Sequence, residues 1–584
     1  MRCIRLAKAF VAFTVLAAAL SACVPLPPAA SPPATRTAAM PADGIAPASP
    51  KAVEYNLGET TITQARFPED SRFRNMPVRL NGIIAAPEEG GPYPVVVIFH
   101  GNHPGCPTDE TGVDRWPCAP EVEQPNYQGF EYLARELAAR GYVALSININ
   151  AENTFGFGEP VPGERLQQII DRHLQALAAA AAGGPNAFGV ELTGRADVNR
   201  LALFGHSRGG EAALVSANSP EMLTASQGYG PVAGVLLIAA ATVTADPWLG
   251  SAVPLATILA ACDGDVTTQD GQFFYEGARL APQQSQWATS VWLERANHNH
   301  FNQTLGRDPF GTPGRPDCDT ILEGDTQRRW LTDYAVDFLT VLFAQDPTAV
   351  RQAEARMGMD VHAPAPDALY ALPARVAGLA PASDRRTIFR PSTAEELTSN
   401  LLGGQVTAEG AATHFCPKGF YSANSLPGSE PCRRNYVTIP GQPSHAVVSW
   451  EGPGAALRFA LPEGAGDLSG YTALSLRAAV DPASPLNTAG SPQAFSVQLT
   501  DRAGNRATVQ TRPGEPALGF PPGMMQDDPT MATGYFTGIV PLTTIRLALR
   551  DFAGIDLANI SEIALLFDQR PSGTLFMGDV EWVQ

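Results

Sequence analysis

The segment Gly205-His206-Ser207-Arg208-Gly209-Gly210 has the residue types and spacing of an activated serine. A hydroxyl can stand on a very tight turn when small residues at 205 and 209 let the chain reverse and a following helix pack close. The apolar run Leu201–Phe204 comes directly before this segment, and the helical stretch Gly210–Ala217 follows it. A glycine-serine-glycine pattern is weak by itself in a glycine-rich chain. The strand before it and the helix after it give it weight. Such a turn presents the hydroxyl at the strand's C-terminal end, near a helix N-terminus whose dipole favours a developing oxyanion. A serine hydroxyl is a poor nucleophile at neutral pH and needs a base. Two acids, Asp263 and Asp265, follow the apolar run Leu255–Ala260. Two histidines, His298 and His300, follow the run Ser290–Leu293. Serine, histidine and carboxylate together perform acyl transfer through an acyl-enzyme.

These groups need a frame that brings distant strand ends together. From about 52 to 345 the apolar pattern alternates between strands and helices. Val78–Ala85 alternates like an edge strand. Val95–Phe99 is continuously apolar, as expected of a strand buried on both faces. Tyr142–Ile147, Leu201–Phe204, Val232–Ala239, Leu255–Ala260 and Ser290–Leu293 read as further strands. Phe130, Leu133 and Leu137 have helical spacing, and Leu166, Ile169, Ile170, Leu174 and Leu177 form a longer helical stripe. Trp330, Tyr334, Phe338 and Leu342 mark one face of a closing helix. The pattern predicts an α/β fold with a mostly parallel sheet covered by helices on both sides. Residues 346–385 are rich in Ala and Pro and read as a connector packed on the first domain. From 386 to 584, short alternating runs separated by Gly, Pro, Asp and Asn predict an all-β sandwich. All candidate catalytic residues precede 301, so a chain ending near 385 is expected to keep the chemistry.

Residues 94–300 resemble the α/β-hydrolase superfamily, in the branch of dienelactone hydrolases, chlorophyllase-like proteins and polyester (cutinase-like) hydrolases. The matching residues are Phe99-His100-Gly101, Gly205-His206-Ser207-Arg208-Gly209-Gly210, Asp263 and His298. The resemblance covers roughly half the chain. It implies a doubly wound sheet and ester hydrolysis, with no cofactor and no metal. Ser207 would be the nucleophile, His298 the base and Asp263 its orienting acid, with Asp265 and His300 as the competing choices. The backbone N–H groups of Arg208 and Asn102 would form the oxyanion hole. His100 and His103 would be structural or pocket-lining, and His206 packed. Polyester hydrolases of the superfamily brace the acid and histidine loops with a disulfide, which implies a Cys262–Cys318 bond. The segment Gly573–Trp582 looks like the last strand of a galactose-binding-like jelly roll. An exported peptidase of the same superfamily is the alternative. Such peptidases usually carry an aromatic residue after the serine, where this chain has Arg208. A non-catalytic envelope-binding lipoprotein is the third reading.

The N-terminus speaks to location. Arg2, Arg5 and Lys8 precede the apolar run Ala9–Leu20, which is short for a membrane span and reads as a signal peptide over residues 1–22. Leu20-Ser21-Ala22-Cys23 resembles a bacterial lipobox, which implies a lipid-anchored Cys23 and an envelope location, the outer membrane where one exists. Residues 23–51 are rich in Pro, Ala, Ser and Thr and read as a tether. Export exposes the remaining cysteines to oxidation. They lie in three neighbourhoods: Cys106 with Cys118, Cys262 with Cys318, and Cys416 with Cys432. Proximity favours those pairs among the many possible connectivities. No Cys-x-x-Cys spacing points to metal. The net charge of the 584 residues is −18, with no basic cluster, which argues against nucleic acid as a partner. The expected partners are a small or polymeric ester, the membrane through Cys23, and a glycan or polymer surface at the C-terminal module. There Phe415, Phe420, Tyr421 and Trp450 could stack on rings or fill a core.

Overall fold

The chain alternates strand and helix up to residue 343. In order come β1 (Val53–Thr63), β2 (Asn75–Ala85), β3 (Tyr93–Phe99), α1 (Glu131–Ala138), β4 (Val143–Ile147), α2 (Asn150–Asn153), α3 (Glu164–Ala181), β5 (Ala196–His206) and α4 (Arg208–Ala217). Then follow β6 (Val232–Ile238), β7 (Leu255–Ala260), α5 (Gly271–Leu280), β8 (Ala288–Leu293) and α6 (Gly324–Phe343). The computed structural model describes residues 50–584 apart from 162, 220–227, 244, 267, 282–283, 309–315, 421–431, 433–440, 483 and 521–539. The expectations for the signal segment, Cys23, the tether up to residue 49 and Tyr421 lie outside the described residues.

With β9 (Ala368–Leu369) and β10 (Leu372–Leu379), the strands join in one sheet of ten, ordered β1-β2-β4-β3-β5-β6-β7-β8-β10-β9. The strands from β4 to β8 run parallel, and both margins are antiparallel. Strand alternation divides the side chains between two cores. Val95, Val97 and Phe99 of β3 face one core with α3, α4 and α5. Val96 and Ile98 face the other with α1 and α6. Being covered on both sides is what made β3 read as continuously apolar.

Two elements differ from the sequence reading. Val78–Ala85 is not an edge: β1 pairs along the outer side of β2. The polar sequence of β1 and its irregularity between Asn56 and Glu59 hide it from an apolar pattern. Residues 346–385 are more than a connector. Asp346 caps α7 (Pro347–Arg356), with Pro347 in its first turn. β9 (Ala368–Leu369) and β10 (Leu372–Leu379) then extend the sheet. Ala374 and Val376 enter one core, and Ala377 and Leu379 the other. Small residues carry this alternation, so it gives little hydrophobic signal.

The C-terminal part holds two antiparallel sheets. One contains β13 (Ala411–Cys416), β16 (His445–Glu451), β23 (Ser572–Val583), β18 (Ala473–Val480) and β21 (Thr543–Ala548), with β11 (Arg385–Phe389) also on β23. The other contains β12 (Val406–Glu409), β17 (Ala455–Ala460), β22 (Ile560–Phe567), β19 (Ser496–Asp501) and β20 (Arg506–Gln510). A short pair, β14 (Gly419–Phe420) and β15 (Gly441–Gln442), stands apart. Both sheets contribute to one core. Trp450 stacks on Phe567 inside it, so it is a packing residue rather than an exposed platform.

The two parts lie within a single compact unit, Ala48–Gln584. Fully buried charges join them. Arg279 of α5 donates to Asp579 of β23 at 2.8 Å, and Arg477 of β18 donates to Glu276 of α5 at 2.5 Å. Glu276 also pairs with Arg279, and Arg390 reaches Asp579 at 3.1 Å. Burial alone would raise the Asp579 carboxyl, but Arg279, Arg390 and Arg477 hold it down at about 2. The sheet edge is tied as well: the Gly378 N–H donates to Thr544, and Arg546 donates to the Gly358 and Asp360 carbonyls.

Three disulfides are formed, Cys106–Cys118, Cys262–Cys318 and Cys416–Cys432, the pairs favoured by proximity. They fit a non-reducing compartment. No helix among the described residues is long and apolar enough to cross a membrane.

Candidate active site

Ser207 lies between β5 and α4 with φ 55° and ψ −128°, a backbone conformation that a non-glycine residue holds only when its surroundings force it. Its N–H donates to the Ile238 carbonyl at 2.9 Å, and its own carbonyl accepts from Gly210 at 2.9 Å and Ala241 at 3.2 Å. The glycines are needed for space. A Cβ on Gly205 would lie 2.1 Å from the Gly209 carbonyl oxygen, and one on Gly209 would lie 2.5 Å from the His100 carbonyl oxygen. This contact brings α4 and the loop after β3 together at the serine. A Cβ on Gly101 would sit 2.9 Å from Ser207 Cβ, so Asn102 follows directly on the backbone packed against Ser207.

Asp263 stands just past the end of β7. Its Oδ1 accepts the N–H groups of Asp265 at 3.0 Å and Val266 at 2.6 Å. Its Oδ2 lies 2.8 Å from Nδ1 of His298, and both side chains are buried. The structure thus pairs Asp263, not Asp265, with Nδ1. His300 points elsewhere, its Nδ1 on the Leu322 carbonyl at 2.9 Å. The Asp263 contact requires a proton on Nδ1, which leaves Nε2 as the basic nitrogen. Nε2 is buried and has no hydrogen-bond partner. Burial alone would lower the His298 pKa. Asp263, Asp265 and Asp308 outweigh it and raise the value above that of an ordinary histidine.

His206 connects this pair to the serine turn. Its ring centroid is 4.6 Å from that of His298, and its Nε2 donates to the His298 carbonyl at 3.1 Å. Burial, with His298 and His103 nearby, holds His206 neutral. His100 donates from Nδ1 to the Gly101 carbonyl and accepts the Ile149 N–H on Nε2, and burial lowers it to about 3. Burial, with His298 close by, lowers His103 to about 4.

The sequence reading missed the groups that hold the histidine loop. Gln327 of α6 exchanges two hydrogen bonds with the Asn297 backbone, at 2.9 and 2.6 Å. The Asn297 side chain donates to Asp308. Asp308 lies in an irregular segment with no periodicity, and Gln327 reads as one more polar residue on a helix. Cys262 adds a main-chain tie, its N–H donating to the Ala296 carbonyl at 2.8 Å.

Among the described residues, His414, Cys416 and Cys432 come close enough to share a metal ion. Cys416 and Cys432 are joined to each other, so they offer no thiolate. A cavity of about 610 Å³ lies between α7, the end of β10 and the C-terminal strand. It touches the start of β8, the sheet end opposite the one that carries His298. No family model matches the chain, and no curated protein matches it.

Proposed function

We propose that residues 52–345 form a serine hydrolase of the α/β-hydrolase type. The protein is then an exported, lipid-anchored carboxylic ester hydrolase. The observation that carries this reading is the buried Asp263–His298 pair beside a strained serine turn. Its Nε2 remains unbonded, which suits a general base whose proton donor is yet to be engaged. Ser207 Oγ attacks the ester carbonyl while His298 Nε2 takes its proton. The N–H groups of Arg208 and Asn102 bind the oxyanion. The protonated His298 gives that proton to the departing alcohol, and water then repeats the sequence on the acyl-enzyme. Asp263 keeps the imidazole in one tautomer and stabilises its charged form. The β-rich module is proposed as a jelly-roll-like unit.

Fluorophosphonate labelling at Ser207 and turnover of a panel of acyl esters and aminoacyl amides test the reading. Ester turnover supports it. Faster cleavage of the amides would make the protein a peptidase. Neither label nor turnover would make it a binding lipoprotein. The anchor is tested separately: Cys23→Ser is expected to leave the membrane fraction, since multiple acyl chains hold where one does not. Equal partitioning of mutant and wild type would refute the lipobox.

The Cys262–Cys318 bond closes a loop of sequence separation 56 and ends one residue before Asp263. Chain entropy assigns such a closure very roughly 4 kcal/mol. The Cys262→Ser, Cys318→Ser double variant is expected to melt lower and to lose turnover at temperatures where circular dichroism still reports a folded chain. A displacement of about 1 Å at the acid is enough to cost a hundred-fold in rate. Unchanged turnover and melting would show that the bond braces nothing.

A further inference from the structure

The hydrolase reading leaves one carboxylate of the acid loop without a task. Asp265 places Oδ2 3.6 Å from Nε2 of His298, the ring nitrogen that must take the serine proton. Its side chain is half exposed at 50%, whereas the ring of His298 is fully buried. The placement is built rather than accidental. The Asp265 N–H is fixed on Asp263 Oδ1, and the neighbouring Gly264 N–H donates to Asp308 at 3.3 Å. One turn of chain therefore sets carboxylates on both nitrogens of a single imidazole.

The groups facing His298 come from four segments. Asp263 and Asp265 belong to the acid loop, Asp308 to the segment after the histidine turn, His206 to the serine turn and His103 to the loop after β3. The two histidines are kept neutral, mainly by burial. The field at the ring is therefore that of the carboxylates. A neutral imidazole turns its Nε2 lone pair toward the Asp265 anion, which is unfavourable. An imidazolium turns an N–H toward it, which is favourable.

We propose that Asp265 is a positioning residue that holds the transferred proton on Nε2 of His298 and so sets the low-pH limit of the reaction. The inference rests on the hydrolase reading. The proton leaves Ser207 Oγ as the oxygen bonds to the ester carbon, and it resides on Nε2 facing Asp265. It then passes to the oxygen of the departing alcohol as that carbon–oxygen bond breaks. No bond to Asp265 forms or breaks in this sequence. Because catalysis needs the neutral base, the carboxylate that steadies the imidazolium also blocks the resting enzyme as pH falls. Its exposure makes its contribution sensitive to salt, whereas the buried Asp263 contribution is not.

The test compares the full-length protein with its Asp265→Asn variant. Two measurements are made: NMR titration of the His298 ring, and kcat/KM for a neutral p-nitrophenyl ester across pH. Both are run at about 0.01 M and about 1 M salt, where the screening length falls from about 30 Å to about 3 Å. The ring titration and the acid limb are expected to move together to lower pH by about 0.5 to 1 in the variant. High salt should move the wild type in the same direction and leave the variant unmoved. A ring titration at the same pH in both proteins would overturn the proposal. So would a shift produced by Asp308→Asn and not by Asp265→Asn. Absence of turnover with a normal ring titration would instead count against the hydrolase reading.

Discussion

Ser207→Ala is expected to remove turnover of short acyl esters by on the order of a million-fold while leaving the fold intact. On the proposed mechanism the loss is large because the substitution deletes the oxygen that attacks the acyl carbon. The Asp263–His298 pair then has no nucleophile to activate. The fold survives because the turn does not depend on the hydroxyl. It is held by the contacts that exclude a Cβ at Gly205 and Gly209, and by main-chain hydrogen bonds to Ile238, Gly210 and Ala241. Alanine keeps the Cβ at 207 and adds nothing. The measurement is kcat on purified protein, with thermal melting beside it. Activity above a few per cent of wild type, in protein free of other esterases, would remove Ser207 from the mechanism.

Asp579→Ala is expected to destabilise the protein by about 3–5 kcal/mol, more than loss of an ordinary surface pair. Asp579 faces Arg279 from the first part of the chain and Arg390 and Arg477 from the second, and it is 1% exposed. Removing it leaves these guanidiniums crowded in a space closed to water. Urea unfolding should show a lower midpoint, and equal stability of variant and wild type would mean the network contributes nothing. The pH dependence has a definite sign. Arg279, Arg390, Arg477 and Arg385 hold the Asp579 carboxyl at about 2, below its value in an unfolded chain. Its contribution is therefore complete above the ordinary carboxylate range, near pH 4. It fades as pH falls toward about 2. The wild type should lose its advantage over the variant across that window. The same network bears on the expectation that a chain ending near 385 keeps its small-ester activity, because such a chain loses the buried ion pairs that join the two parts. Such a chain would keep the Glu276–Arg279 pair but lose Arg477 and Asp579 from it, and Arg546 would no longer hold the loop at Gly358 and Asp360.

The serine turn was legible in the sequence because everything it needs is contiguous. The strand Leu201–Phe204, the small residues at 205 and 209 and the helix that follows are neighbours in the chain, and close packing alone demands glycine there. The central strands were legible for a similar reason: burial on both faces writes itself as an unbroken apolar run, as in Val95–Phe99. The cysteine pairs followed from proximity. The edges of the sheet were not legible, since β1 is half polar and β10 alternates with small residues.

Only the tertiary structure shows which ring nitrogen of His298 each of Asp263 and Asp265 lies against. Both acids sit at the end of the same strand, and two main-chain N–H groups folding back onto Asp263 Oδ1 determine which one meets Nδ1 and which one faces Nε2. It alone brought in Asp308 and Gln327, which reach the histidine loop across gaps in sequence that carry no pattern. It also revealed the bond between the two parts of the chain. Glu276 and Arg279 are three positions apart on a helix, a spacing that solvated pairs share. They are buried because strands two hundred to three hundred residues later close over them. Spacing along the chain determines local geometry. Whether a charge is wet or dry depends on what covers it, and the residues that cover Glu276 and Arg279 lie far away in sequence.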